Sequence, residues 1–279
     1  MIPCPVCSRP GAQPLYEGIV QCPHCTHAWA DLNPSDKQLE RLYERKYFFG
    51  EEYVDYIGDR AVLERNFRSR LRELEPYLDP SRHQSLLEIG SAYGFFLRMV
   101  KDRFQKVLGF EISRDGAAYA RKAGLPVLRK DFLKHNLQGY PVDLACLWDT
   151  VEHLREPQKF ITKLSRLMKP GALVTLTTGD LSSWNARLRG EKWRLIHPPT
   201  HLHYFTRKSL SRMLELNGFE VLYMKSCGFW RSLDNVAYIT LVLRAGRKDW
   251  YDLFRRSFLS RGQLYLNLFD IVHVIARRT

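Results

Sequence analysis

Nowhere in this chain of 279 residues is there an apolar run of about 18, the length a membrane-spanning helix needs, so no membrane span is indicated. The first residues, MIPCPVCSRP, carry neither the basic start nor the apolar stretch of a secretory leader, and a cytoplasmic location is expected. A G-x-G-x-x-G run is also missing, which removes the usual dinucleotide fingerprint with its pyrophosphate on a helix N-terminus. Cysteine is sparse: four of the six lie in two C-x-x-C pairs, and in a reducing compartment disulfides between them are disfavoured. Acidic side chains are outnumbered, 30 Asp and Glu against 43 Lys and Arg, for a net charge of +13. What is there, 45% hydrophobic and 26% charged residues, is ordinary globular composition with material for one full domain plus additions.

The two pairs, Cys4/Cys7 in CPVC and Cys22/Cys25 in CPHC, have the form of metal-binding knuckles. Four thiolates at this spacing make a closed tetrahedral site for structural Zn2+, with no position left for water or substrate. His24 and His27 lie nearby, but four sulfurs already fill the shell. A thioredoxin-like redox pair would follow a strand and open a helix, which neither pair does. Residues 1–31 are therefore expected to be a small zinc ribbon. Cys146 and Cys227 fall in apolar strand patterns and read as small core residues.

The strongest signal is LLEIGSAYGFF, residues 86–96: an apolar strand ending in Glu88, a turn containing Gly90 and Gly94, then the helical pattern FFLRMVKDRF. Both glycines offer left-handed backbone and no Cβ where a ligand approaches. The next strand, KVLGFEIS, ends in Glu111, whose carboxylate suits both hydroxyls of a ribose. Glu88 beside the turn would repel a pyrophosphate and suits a cationic amino group and sulfonium instead. With this pattern the chain resembles the class I S-adenosylmethionine-dependent methyltransferases from about Leu86 to its end, with Ala92 where most members have a middle glycine.

The resemblance implies an α/β fold: a Rossmann-like sheet of seven strands, the last antiparallel, with helices on both faces, plus the N-terminal ribbon. Residues 32–80 are expected to be a helical linker or lid. Residues 81–279 would form the methyltransferase domain, with a helical insertion at about 230–265. For S-adenosylmethionine it implies contacts from Glu88, Gly90, Ala92, Gly94 and Phe95 at the first turn, and from Glu111 and Ile112 at the second strand. Asp131 and Phe132 in KDFL would sit by the adenine, and Trp148 and Asp149 at the end of VDLACLWDTVEHL. His153 in that segment is the candidate general base, because imidazole titrates near neutral pH. The loop GEKWRLIHPPTHLHYFTRKSL supplies acceptor-site candidates, Trp193, His197, His201 and Tyr204.

Residues 186–279 hold 17 Lys and Arg against 7 Asp and Glu, +10 of the total charge. A positive field attracts an anionic glycan or other small-molecule acceptor, RNA, or an anionic membrane surface at the inner face. The segments RSLDNVAYITLVLRAG and DWYDLFRRSFLSRGQLYL mix apolar, aromatic and basic residues as interfacial helices do, and equally as helices that pack on a sheet or in a dimer. Certain ribosomal-RNA guanine methyltransferases also carry a Cys-rich module, but no Asn/Asp-Pro-Pro-aromatic motif stands where WDTVEHL does. The EHL signature is closer to quinone O-methyltransferases and to sugar C-methyltransferases, which also have a zinc module but carry a further large C-terminal domain. Three readings stay open: a small-molecule or glycan methyltransferase, an RNA methyltransferase, and a non-catalytic binding module. Nucleic acid is the less favoured partner, and the oligomeric state is not encoded in these patterns.

Overall fold

A computed structural model describes residues 3–42, 55–137 and 139–279. Its centre is a seven-stranded sheet. In chain order the ribbon strands come first, β1 (Gln13–Tyr16), β2 (Ile19–Gln21) and β3 (Ala28–Ala30), followed by α1 (Asp36–Leu42) and α2 (Arg60–Leu74). Next come β4 (Ser85–Ile89), α3 (Phe95–Val100), β5 (Lys106–Phe110), α4 (Arg114–Lys122), β6 (Val127–Leu128), β7 (Leu144–Trp148), α5 (Pro157–Leu167) and β8 (Leu173–Gly179). The chain continues through α6 (Trp184–Arg189), β9 (His203–Tyr204), α7 (Arg207–Glu215), β10 (Phe219–Ser226), β11 (Phe229–Ser232), α8 (Leu233–Ala237), α9 (Lys248–Arg256), β12 (Gln263–Leu266) and β13 (Ile271–Arg278).

The sheet order is β10-β13-β8-β7-β4-β5-β6, with β13 antiparallel to both neighbours, as expected from the sequence. Every residue of β4 and β7 is buried, which is why both read as unbroken apolar runs. Alternate side chains feed two cores. Leu87 joins Ile161 and Leu164 of α5 and Leu210 and Met213 of α7 on one face. Leu86 joins Leu97 of α3, Ala117 of α4 and Leu71 of α2 on the other.

Local chemistry sets the helix starts. Ser113 caps α4 by accepting from Gly116 N, and Thr206 and Ser209 form a capping box on α7. Gly94 opens α3 at φ 74. A Cβ there would lie 2.6 Å from Leu125 Cδ1 and 3.0 Å from Ala120 Cβ, so this glycine serves helix-to-strand packing. At Gly90, φ +76, the place of a Cβ is held by Thr150, 2.6 Å away at Oγ1.

The insertion between β10 and β13 departs from the expected helical form. It begins and ends as a two-stranded antiparallel sheet, Phe229 opposite Leu266 and Ser232 opposite Gln263, and the helices lie between. The reason is its clamp on α2: Asn66 Nδ2 donates to Trp230 O at 3.1 Å and Asn66 Oδ1 accepts from Trp230 N at 2.7 Å. Asp59 accepts from Ser232 Oγ and Asn235 Nδ2, so α2 and the insertion form one cover over the carboxyl edge of the sheet. Of the expected lid aromatics, Tyr56 packs on Tyr93 and Phe95, while residues 43–54 lie outside the described residues. No helix among the described residues is long and apolar enough to cross a membrane.

Substituting Gly94→Ala should destabilise the protein by about 1–3 kcal/mol in denaturant unfolding, through steric overlap and an unfavourable positive φ. Unchanged stability would show that the turn does not set this packing.

Candidate active site

Above the carboxyl ends of β4, β5, β6 and β7 lies a cavity of about 480 Å³, in the range of small-molecule sites. Its floor is the turn after β4. Glu111, just past β5, accepts from Ala92 N and from Ser113 N, both at 2.7 Å, and so holds the turn in place. Ala92 is strained into φ 46, the conformation a glycine would adopt freely. Each carboxylate oxygen of Glu111 keeps a further lone pair for a hydroxyl donor.

Glu88 is 2% exposed, and burial together with the neighbouring Glu111 charge pushes its carboxyl well above the usual range. Glu111 is raised too, by burial, against the lowering effect of its backbone donors. Four buried polar atoms of the lining find no partner among the described residues: Glu88 Oε2, Ser91 Oγ, Trp148 Nε1 and Glu152 Oε2. Buried polar groups are nearly always paired, so this concentration marks a place built for a polar ligand.

At the end of β7 the backbone turns sharply, with Asp149 at φ 46. Asp149 accepts from Arg70 Nη2 at 2.7 Å and from Thr177 Oγ1 at 2.8 Å. Arg70 is 5% exposed and spans from α2 to the sheet, over Trp148 and Phe229. The short turn Val151–His153 follows. Burial, with Asp149 nearby, pushes Glu152 up to about 8. Burial also holds His153 down to about 4, so its imidazole is neutral at physiological pH. Its Nδ1 donates to Thr200 O at 2.7 Å, which assigns the lone pair to Nε2.

The histidine-rich loop meets the cavity through His201, whose ring lies 4.6 Å from His153. His197 packs behind it, ring centroids 3.9 Å apart and tilted by 39°, and hydrogen-bonds Thr200 Oγ1 through Nδ1. Trp193 and Tyr204 are buried in a separate apolar cluster with Ile19, Ala28 and Leu181. Trp193 Nε1 donates to Asp270 Oδ2, and Tyr204 OH donates to His201 O. Thus His201 alone of the four acceptor-site candidates lines the cavity; His197 and Tyr204 contact it from behind, and Trp193 packs against the ribbon instead. The aromatic density of that segment is explained by the ribbon it covers.

β9 pairs with β3 and extends the ribbon to a four-stranded sheet. Ala30 N donates to Leu202 O, and Leu202 N donates to Glu152 O, both at 2.9 Å. Buried His27 and His203 share a hydrogen bond at 3.0 Å, and His203 Nε2 reaches Arg155 O at 3.3 Å. The ribbon is thereby tied directly to the 152–155 segment. Its sulfurs pair at 3.5 Å for Cys4 and Cys25 and 3.6 Å for Cys7 and Cys22, all four lying within 4.8 Å of one another. Zn–S bonds of about 2.3 Å in a tetrahedron place sulfurs about 3.8 Å apart, so the cluster fits a zinc ion, and these distances are far too long for disulfides.

The expected cofactor residues Glu88, Gly90, Ala92, Phe95, Glu111, Ile112, Asp131, Phe132, Trp148 and Asp149 all line the cavity. Gly94 does not, because Leu125 and Ala120 occupy the space beside it. Asp131 Oδ1 caps the turn 132–134 by accepting from Leu133 N, and Phe132 packs edge-on against Phe110. The cover residues Asn66 and Arg70 were missed. Their signal was two polar residues four apart that interrupt the apolar face of α2, a pattern that pays only when something polar lies beneath.

Residues 58–224, more than half of the chain, match the family described as methyltransferase domain, and the chain belongs to that family. The match begins at the cover and ends before the insertion, and the ribbon lies outside it. Over 143 residues the chain is 26% identical to a protein of Mycolicibacterium smegmatis named "Probable S-adenosylmethionine-dependent methyltransferase". That alignment covers 50% of this chain and 52% of the other, so the chain spans about half the length of the curated relative it matches. A SAM-dependent methyltransferase of Thermotoga maritima superposes with a TM-score of 0.54 at 18% identity, covering 86% of this chain and 100% of that one. Another, from Archaeoglobus fulgidus, gives 0.54 at 18% identity over 80% and 99% of the two chains. At these identities the likeness is one of fold.

Cys22→Ser should loosen the ribbon and, through the Ala30–Leu202–Glu152 chain of bonds, speed amide hydrogen exchange at Leu202 while Leu87 in β4 stays protected. Unaltered exchange at Leu202 would contradict the coupling.

Proposed function

We propose that the protein uses S-adenosylmethionine to methylate a small-molecule or saccharide acceptor, including one carried on a lipid. The observation that carries this reading is the set of unpartnered buried groups, Glu88 Oε2, Ser91 Oγ and Trp148 Nε1, gathered around the turn that Glu111 holds. S-adenosylmethionine supplies an activated methyl group on a positively charged sulfur. Glu88 suits its ammonium group, Glu111 its ribose hydroxyls, and Asp131 with Phe132 and Ile112 its adenine. The cavity walls exclude water and hold an acceptor in line with the methyl group, where positioning supplies much of the rate. His153 lines the cavity with its ring held by Thr200 O, but burial, which holds it down to about 4, makes it a weak base, contrary to the expectation from an ordinary imidazole, so positioning rather than proton abstraction by His153 carries the step.

Support for an anionic acceptor comes from Arg155, Arg194 and Arg231 in the lining on the side of the histidine loop and the insertion. The insertion also exposes Trp250, Leu253 and Phe258 among Arg255, Arg256 and Arg261, a combination suited to an anionic membrane surface. In this reading the Cys4–Cys7–Cys22–Cys25 cluster holds a structural zinc ion that fastens the ribbon and takes no part in methyl transfer.

Calorimetry should show binding of S-adenosylmethionine and S-adenosylhomocysteine, weakened at least tenfold in Glu111→Ala. Absence of binding by the folded protein would overturn the reading. Isotope-labelled methyl donor added to a cell extract with the enzyme should place label in an anionic small molecule or glycan. Label confined to RNA would overturn the acceptor class.

A further inference from the structure

We propose that Glu152, His153 and His201 form a site for one divalent first-row cation, such as Mn2+ or Fe2+, inside the cavity and distinct from the cysteine cluster. Each of the three offers a ligand atom, and these atoms lie within 4.8 Å of one another. A cation about 2.1 Å from each would hold the three ligand atoms about 3–3.5 Å from one another. Glu152 is 5% exposed, and its Oε2 has no partner among the described residues. A cation would give that oxygen the partner it lacks among the described residues.

The two imidazoles are oriented as metal ligands are. His153 Nδ1 donates to Thr200 O at 2.7 Å and His201 Nδ1 to Leu195 O at 2.8 Å, so in both rings the remaining lone pair is on Nε2. Carbonyl partners of this kind fix tautomer and ring angle around bound metals. The rings stand at 74° to each other, edge to face rather than stacked. The scaffold is firm: Leu202 N binds Glu152 O, which locks the two chain segments carrying the ligands together. Two imidazoles and one carboxylate suit first-row cations and leave coordination positions open toward the cavity. An oxygen-bearing acceptor would occupy those positions, a role that rests on the methyl-transfer reading, whereas cation binding itself does not.

The test uses the full-length protein with its cysteine cluster loaded with zinc and Mn2+ as the probe. Titration followed by electron paramagnetic resonance should show one bound Mn2+ per chain, and pulsed measurements should show nitrogen coupling from imidazole. His201→Ala and Glu152→Gln should each weaken Mn2+ binding by about tenfold or more. Circular dichroism and thermal unfolding should match the parent protein, which shows that each variant is folded. No Mn2+ binding up to millimolar concentrations, no nitrogen coupling, or equal binding in both variants would overturn the proposal. Mn2+ binding without S-adenosylmethionine binding by the parent protein would support the cation site while overturning the methyl-transfer reading.

Discussion

Burial of two neighbouring carboxyl groups at the carboxyl edge of the sheet is the constraint on which the site depends. Glu88 and Glu111 sit at the ends of adjacent parallel strands, both nearly sealed from water, and their carboxyls interact unfavourably. Only Glu111 is compensated, by the backbone donors of Ala92 and Ser113. The fold therefore keeps one buried carboxyl oxygen of this pair, on Glu88, without a partner among the described residues, and a stable domain tolerates such a cost where function requires it. A ligand that carries both a cation and a sugar diol relieves both halves at once. The family to which residues 58–224 belong is one in which such a ligand is at home.

Around that point the protein adds two further layers. One is the cover, α2 and the insertion hairpin, joined by Asn66 and Asp59 and reaching the sheet through Arg70 and Asp149. The other is the ribbon, which pairs with β9 and holds the loop carrying His201 against the Glu152 segment. Neither layer is part of the seven-stranded sheet. Both line the cavity, the cover through Asn66, Arg70 and Trp230 and the ribbon-backed loop through His201.

Much of this was legible in the sequence. The buried strands β4 and β7 announce themselves as unbroken apolar runs, and the helices α5 and α7 by their periodicity and their ends at Pro170-Gly171 and Gly218. The Cys spacing gave the cluster directly. Harder to see were contacts that join distant segments. Trp193 and Tyr204 read as acceptor contacts because a loop rich in rings lies near the cavity, yet the ribbon buries them, and no local pattern records that β9 pairs with β3. Gly94 likewise reads as a ligand contact, whereas Leu125, about thirty positions along the chain, decides its role. The insertion reads as helical throughout because the strands at its two ends pair only with each other.

The most direct measurement of the central claim is the titration of the Glu88 carboxyl by carbon-13 NMR, with Glu88→Gln for assignment, in the free protein and with S-adenosylmethionine. In the free protein burial and Glu111 hold the proton on, so titration should fall well above the usual carboxylate range. A bound cation favours the charged form, so the ligand should lower that pKa, release the proton, and make affinity rise with pH up to the free protein's titration point. An ordinary carboxylate titration in the free protein, or a Glu88 that stays protonated with ligand bound, would contradict the account.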